Sequence, residues 1–155
     1  MKTEMVFRWM SHEPITVTPD TSLPDADNIM HKYNIRRLPV VDKKGKLVGI
    51  VTRGDIREAS PSDANSLNRW ELNYLLDKVK VNWIMTCNPI TVSVTDSISK
   101  AAYLMLTNKV SGLPVVDPTS HTLRGIITES DIFRLVVRMW QDAEPDEIEA
   151  VEMAA

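Results

Sequence analysis

The sequence predicts a mixed α/β (α+β) fold: two β-α-β-β-α motifs packed as a pseudo-twofold pair. Three observations predict it. First, residues 9–46 align with 84–121 at an offset of 75, and 47–56 with 123–132 at 76, giving 19 identities in 48 positions. A period of this length, present twice, marks two copies of one structural unit. Second, each copy carries two short apolar runs of strand length, Leu38–Val41 and Leu47–Thr52 with their counterparts from Leu113 and Leu123. Third, apolar residues recur at helical spacing between and after those runs.

Along the first copy, Pro14 and the alternating Ile15-Thr16-Val17-Thr18 predict a short strand after an X-Pro turn. Asp20-Thr21-Ser22 supplies N-cap candidates and Pro24 suits a first helical turn. Leu23, Ala26, Ile29, Met30 and Tyr33 then form the apolar stripe of a helix over 23–33. Asp42-Lys43-Lys44-Gly45 is a hairpin-type turn between the two apolar strands. Asp55 opens the closing helix. The second copy repeats this order: its first helix starts near Ser97, and its last, from Asp131, carries Ile132, Leu135, Val136, Met139 and Trp140 as one stripe. The expected boundaries are motif 1 at 1–59, a linker at 60–80, motif 2 at 81–140 and an acidic tail at 141–155. The linker begins as a loop at Ser60–Ser66 and continues as a helix with Leu67, Trp70 and Tyr74 on one stripe.

Composition narrows the function classes. The chain has 155 residues, 43% hydrophobic and 25% charged, which is ordinary for a globular protein. No apolar run approaches the ~18 residues of a membrane span, and Met1-Lys2-Thr3-Glu4 lacks a signal-peptide core. A single cysteine, Cys87, fits a reducing, cytoplasmic setting. The net charge of −3 hides an asymmetry: residues 141–155 hold six acids and no base, leaving residues 1–140 at +3. The body can favour an anionic ligand, while the tail reads as a solvated segment.

The doubled pattern Pro-Ile-Thr-Val, Leu-Pro-Val-Val-Asp and Gly-Ile-(Ile/Val)-Thr-x-x-Asp-Ile resembles a tandem pair of CBS (cystathionine-β-synthase-type) motifs, a Bateman module, over about residues 5–140. Trp70-Glu71-Leu72-Asn73-Tyr74-Leu75-Leu76 further resembles the linker of bacterial CBS pairs of the acetoin-utilisation type. The resemblance implies a regulatory module that binds AMP, ADP, ATP or S-adenosylmethionine in the clefts between its motifs, signals to a protein partner and forms a homodimer. The alternative is a dimerisation or docking module with empty clefts.

The resemblance also implies roles for particular residues. Asp55 and Asp131, each three residues after Thr52 or Thr128, bind the ribose in the family; read from the residues alone they are helix N-caps, and one residue can do both. Thr16 and Thr91, with the following Val17 and Val92 and the preceding Ile90, lie where the family reads the adenine edge; the simpler reading is an edge-strand Thr. Arg36-Arg37 stands where the other copy has Ser111-Gly112. In the family this position reaches the phosphates of the ligand whose ribose the other motif holds. Arg36-Arg37 is then expected to serve a cleft built by Thr91, Thr128 and Asp131, and Ser111-Gly112 one built by Thr16, Thr52 and Asp55. The Asp131 cleft is accordingly expected to prefer phosphorylated ligands, unless Arg36-Arg37 is only a solvated basic pair. One departure from the family is Arg8, with Trp83 its equivalent, where an acidic residue is usual.

No catalytic constellation is legible. The three histidines, His12, His31 and His121, have no metal-ligand spacing, the glycines form neither a P-loop nor a dinucleotide fingerprint, and Cys87 lacks a His partner. No enzyme, cofactor, metal or membrane association is expected. Without a Lys/Arg stripe or a reader motif, nucleic acid is not an expected partner. Trp9, Trp70, Trp83 and Trp140 are candidates for contacts between chains.

Overall fold

The computed structural model describes residues 4–61 and 68–143. The expected tail beyond 143, and most of the linker loop with Leu67, lie outside the described residues. The element order is α1 (Val6–Trp9), β1 (Ser11–His12), α2 (Leu23–Lys32), β2 (Arg37–Val41), β3 (Leu47–Thr52), α3 (Arg53–Ala59), α4 (Arg69–Lys78), α5 (Val81–Ile84), β4 (Thr86–Cys87), β5 (Val92–Ser93), α6 (Ile98–Asn108), β6 (Gly112–Val116), β7 (Leu123–Thr128) and α7 (Glu129–Ala143). The mixed α/β architecture is as the sequence predicts.

The two motifs trade their leading segments. One sheet has the order β1-β7-β6-β5 and the other β2-β3-β4. Thus β1, from the start of the first repeat, pairs antiparallel with β7 of the second, with Ser11 opposite Ile126. Symmetrically, β4 from the second repeat pairs with β3 of the first, with Thr86 opposite Ile50. The short helices follow their strands. Val6 and Met10 are buried in a core with Val92, Met105, Leu113 and Ile127 of the second repeat. Val81 is buried in the other core with Val17, Leu23, Met30 and Val51 of the first. Equivalent hydrogen bonds dock both segments: Val81 N–H donates to the Thr21 carbonyl at 2.8 Å and Val6 N–H to that of Asp96 at 2.9 Å.

Glycine permits the exchange at one position in each sheet. A Cβ on Gly125 would lie 2.7 Å from the Ser11 carbonyl oxygen, and one on the equivalent Gly49 would lie 3.1 Å from that of Thr86. In both cases the incoming strand occupies the space a side chain would need.

Local chemistry explains the helices. Ser22 caps α2 by accepting from Asp25 N–H, with Pro24 in the first turn, and Ser97 caps α6 through Lys100 N–H. Helix α4 begins with a capping box between Asn68 and Glu71. Its stripe is not the expected one: Trp70 is 87% exposed and Tyr74 63%, while Leu76 packs against the first core. Leu76 lies six residues from Trp70, and at 100° per residue such positions face different sides of a helix. Along α7, Leu135 is buried and Ile132 packs beside it, but Met139 and Trp140 are exposed. The strand expected over 14–18 reduces to one bridge, Val17 to Val40; the paired strand lies earlier, at Ser11–His12.

Candidate functional site

The exchange creates two clefts where the leading segment of one repeat faces the strand-to-helix corner of the other. The first, about 630 Å³, is lined by Thr52, Arg53, Asp55 and Arg57 of the first repeat and by Asn88, Pro89, Ile90, Lys109, Ser111 and Gly112 of the second, together with Arg36 and Arg37. The second, about 660 Å³, is lined by His12, Glu13, Ile15, Asn34, Arg36 and Arg37 of the first repeat and by Ser111, Thr128, Glu129, Asp131 and Arg134 of the second. Both volumes lie within the range of small-molecule pockets.

Each corner fixes its carboxylate in the same way. Asp55 Oδ2 accepts from the Thr52 N–H at 2.7 Å and from its hydroxyl at 2.8 Å. Thr52 is itself the N-cap of α3, accepting from Asp55 N–H. Asp55 is therefore the return half of a capping box rather than the cap. Asp131 Oδ2 accepts from Thr128 N–H at 2.8 Å and from its hydroxyl at 2.9 Å. The two sites differ at the second oxygen. Asp131 Oδ1 takes a 2.7 Å bond from Arg134, whereas Asp55 Oδ1 accepts none among the described residues. The residue equivalent to Arg134 is Glu58, which cannot make that pair.

Of the residues anticipated from sequence, Thr52, Asp55, Ile90, Ser111 and Gly112 meet in the first cleft, and Thr128 and Asp131 in the second. Thr16, Val17, Thr91 and Val92 line neither. Val17 and Val92 are buried in the cores, and their neighbours two positions earlier, Ile15 and Ile90, reach the clefts instead. The expected pairing is also corrected. The strand segment beside Asp55 comes from the second repeat and that beside Asp131 from the first, because the leading segments are exchanged.

The expected division of the basic pair is likewise replaced, since Arg36 and Arg37 line both clefts. Arg37 and its equivalent Gly112 meet at the pseudo-axis. A Cβ on Gly112 would collide with the Arg37 guanidinium as it lies here, so glycine at this position lets the Arg37 side chain lie across it. Arg37 donates to the Ser111 hydroxyl at 2.6 Å. Burial pulls its pKa down, the Glu129 carboxylate opposes this, and the Arg36 charge adds to it.

Comparing the repeats only at 36–37 misses the residues that set the charge of each cleft. In the first cleft Arg36, Arg37, Arg53, Arg57 and Lys109 face one carboxylate, Asp55. In the second, Arg36, Arg37 and Arg134 face Glu13, Glu129 and Asp131. The signal was present in the aligned repeats, at Arg53 against Glu129, Arg57 against Phe133 and Lys109 against Asn34. Backbone strain also marks both clefts: Glu13 and Asn88, each before a proline, have φ of 49° and 47°. Among the described residues no group of His, Cys, Asp and Glu is arranged to hold a metal ion.

The CBS domain family model matches residues 5–62 and 80–138. The chain belongs to the CBS domain family. A CBS domain-containing protein of Dictyostelium discoideum is 35% identical over 141 residues, covering 91% of this chain and 97% of that protein. The chain spans much less of other CBS relatives: an inosine-5′-monophosphate dehydrogenase of Bifidobacterium longum is 36% identical, but only 24% of its length is covered. Among solved structures, the CBS domain pair of protein MJ0100, in complex with 5′-methylthioadenosine and S-adenosylmethionine, matches with a TM-score of 0.73 at 34% identity, over 88% of this chain and 98% of that one. CBSX2 in complex with AMP matches with a TM-score of 0.72 at 30% identity, over 88% and 98%; CBSX2 comes from Arabidopsis thaliana. The acetoin-utilisation resemblance has a structural counterpart too, AcuB of Vibrio cholerae, with a TM-score of 0.74 at 27% identity over 92% and 97%.

Proposed function

We propose that this CBS pair is a regulatory module, not an enzyme, that binds an adenosyl compound (AMP, ADP, ATP or S-adenosylmethionine) in the clefts between its motifs and signals the bound state to a protein partner. The observation that carries the reading is the Thr-x-x-Asp corner in each cleft. At Asp55 the carboxylate is held by two bonds on one oxygen, and its other oxygen is left to accept from a ribose hydroxyl. Ile90 and Pro114 offer an apolar wall to a purine in that cleft, as Ile15 and Pro39 do in the other. Structural neighbours hold AMP, S-adenosylmethionine or 5′-methylthioadenosine.

Binding shifts the halves only as far as the ligand's affinity differs between their arrangements. A thermal-shift screen with the four compounds tests the reading. At about 100 times Kd a ligand adds roughly 2.7 kcal/mol, or about 5–11 °C for a chain of this size. No shift with any of the four at millimolar concentration overturns it.

A homodimer is part of the same reading, and the alternative docking function would use the same surface. Phe133, Val137 and Trp140 on α7, and Tyr103 and Leu106 on α6, are exposed, which supports an apolar contact with a second copy. Light scattering on the purified chain separates monomer from dimer. The exposed free thiol of Cys87 fits a reducing compartment, and a cytoplasmic location is proposed on that ground. No helix among the described residues is long and apolar enough to cross a membrane.

A further inference from the structure

We infer that the two clefts take different classes of adenosyl ligand: the Asp55 cleft a nucleoside di- or triphosphate, and the Asp131 cleft an uncharged or cationic adenosine derivative such as a thioether or sulfonium. This rests on the adenosyl reading above and assigns a ligand class to each cleft.

The assignment comes from positions that the repeat makes equivalent but charges differently. At the first residue of the closing helix the Asp55 cleft has Arg53 and the Asp131 cleft has Glu129. At the strained residue before the conserved-in-repeat proline, the Asp55 cleft has Asn88 and the Asp131 cleft has Glu13. After the first long helix of each repeat the pair is Lys109 and Asn34, both left-handed, with φ of 54° and 51°. Arg36 and Arg37 line both clefts and cancel from the comparison.

A polyphosphate in the Asp55 cleft meets three cations that the other cleft lacks, Arg53, Arg57 and Lys109. Arg53 makes one side-chain hydrogen bond among the described residues, from Nη2 to the Ile35 carbonyl at 3.3 Å, so most of its guanidinium donors are not committed to the protein. In the Asp131 cleft the same polyphosphate meets Glu13 and Glu129. The cation peculiar to that cleft, Arg134, is already paired with Asp131. Like charges at close range disfavour binding, whereas a sulfonium or a neutral thioether suffers no such repulsion there.

Isothermal titration of the full chain with ATP, and separately with 5′-methylthioadenosine, tests the assignment. The variants are Arg53→Glu, Arg57→Glu and Glu129→Arg; Arg57 is exposed, so its replacement keeps the test open if Arg53→Glu folds poorly. The wild type is expected to bind ATP at one site per chain. Arg53→Glu and Arg57→Glu should each weaken that site about tenfold or more, the size of one lost charge-assisted contact, and leave 5′-methylthioadenosine bound as before. Glu129→Arg should add a second ATP site. ATP affinity should fall with salt while 5′-methylthioadenosine affinity holds. Unchanged ATP binding in both Arg variants, or loss of the single ATP site on Glu129→Arg, overturns the assignment while leaving adenosyl binding intact. Failure of the wild type to bind either probe overturns the assignment, and the adenosyl reading falls with it only if AMP, ADP and S-adenosylmethionine also fail to bind.

Discussion

Replacing Gly125 by Ala probes the strand exchange that builds both clefts. The new Cβ would sit 2.7 Å from the Ser11 carbonyl oxygen and 2.6 Å from the Met10 sulfur. The thioether can rotate away within its core. The carbonyl cannot, because β1 is tied to β7 through Ser11 and His12. Ordinary contact therefore requires β1 to retreat by several tenths of an ångström. Overpacking of this kind costs about 1–3 kcal/mol, offset by about 0.4–1 kcal/mol from the stiffer unfolded chain. Taken at the middle of both ranges, the net loss is about 1.3 kcal/mol, a fall of roughly 3–5 °C in Tm. Gly49→Ala meets its carbonyl at 3.1 Å and should cost less. Gly54→Ala meets nothing closer than the Thr52 hydroxyl at 3.5 Å and, lying in α3, should be neutral or stabilising by up to about 1 kcal/mol. Urea unfolding of the three variants gives the order directly. A Gly125→Ala protein as stable as wild type, or a destabilised Gly54→Ala with an unaffected Gly125→Ala, would refute the close approach of β1 to β7.

Three further outcomes follow from other parts of the molecule. Val81→Ala, which truncates a fully buried side chain lent by the second repeat to the first core, should cost about 2 kcal/mol, and urea unfolding followed by Trp fluorescence and by far-UV dichroism should still give one coincident transition. The Asp42 carboxylate is held below its usual pKa by the Lys46 backbone N–H and then that of Lys44, and Asp117 by those of Ser120 and Thr119. A depressed folded-state pKa gives stability that is present above about pH 4 and lost as pH falls through the lowered value; Asp42→Asn should therefore lower the urea midpoint at pH 7, with the difference from wild type closing in acid. Asp55→Asn should weaken ATP binding in a titration by about tenfold, the cost of removing a charged acceptor, while Thr16→Ala, outside both clefts, should leave it unchanged.

The sequence made much of this fold legible because both copies report the same physics. Ser22 and Ser97 cap equivalent helices, and the Leu-Pro-Val-Val strands are apolar because both their faces are covered. The exchange of leading segments was not legible. An offset shows that Ser11 and Thr86 are equivalent, but a strand can complete its own sheet or its twin's with the same residue pattern. Ser11-His12 also has no β-branched alternation to announce it, whereas Ile15-Thr16-Val17 does and pairs only once. The candidate site was half legible for the same reason. Thr52, Asp55, Thr128 and Asp131 repeat and stand out, whereas cleft charge is set by residues that do not repeat. Trp70 and Tyr74 misled because a stripe of large apolar residues can face outward when smaller ones, here Leu76, face the core.

Nucleotide binding at the Asp55 cleft is tested most directly by a crystal structure of the full chain grown with ATP. Adenosine density is expected in the Asp55 cleft, with a ribose hydroxyl within hydrogen-bonding distance of the Asp55 carboxylate and the phosphates directed toward Arg53 and Lys109. A well-ordered lattice with both clefts free of nucleotide at saturating ATP, or ATP bound away from them, would contradict it.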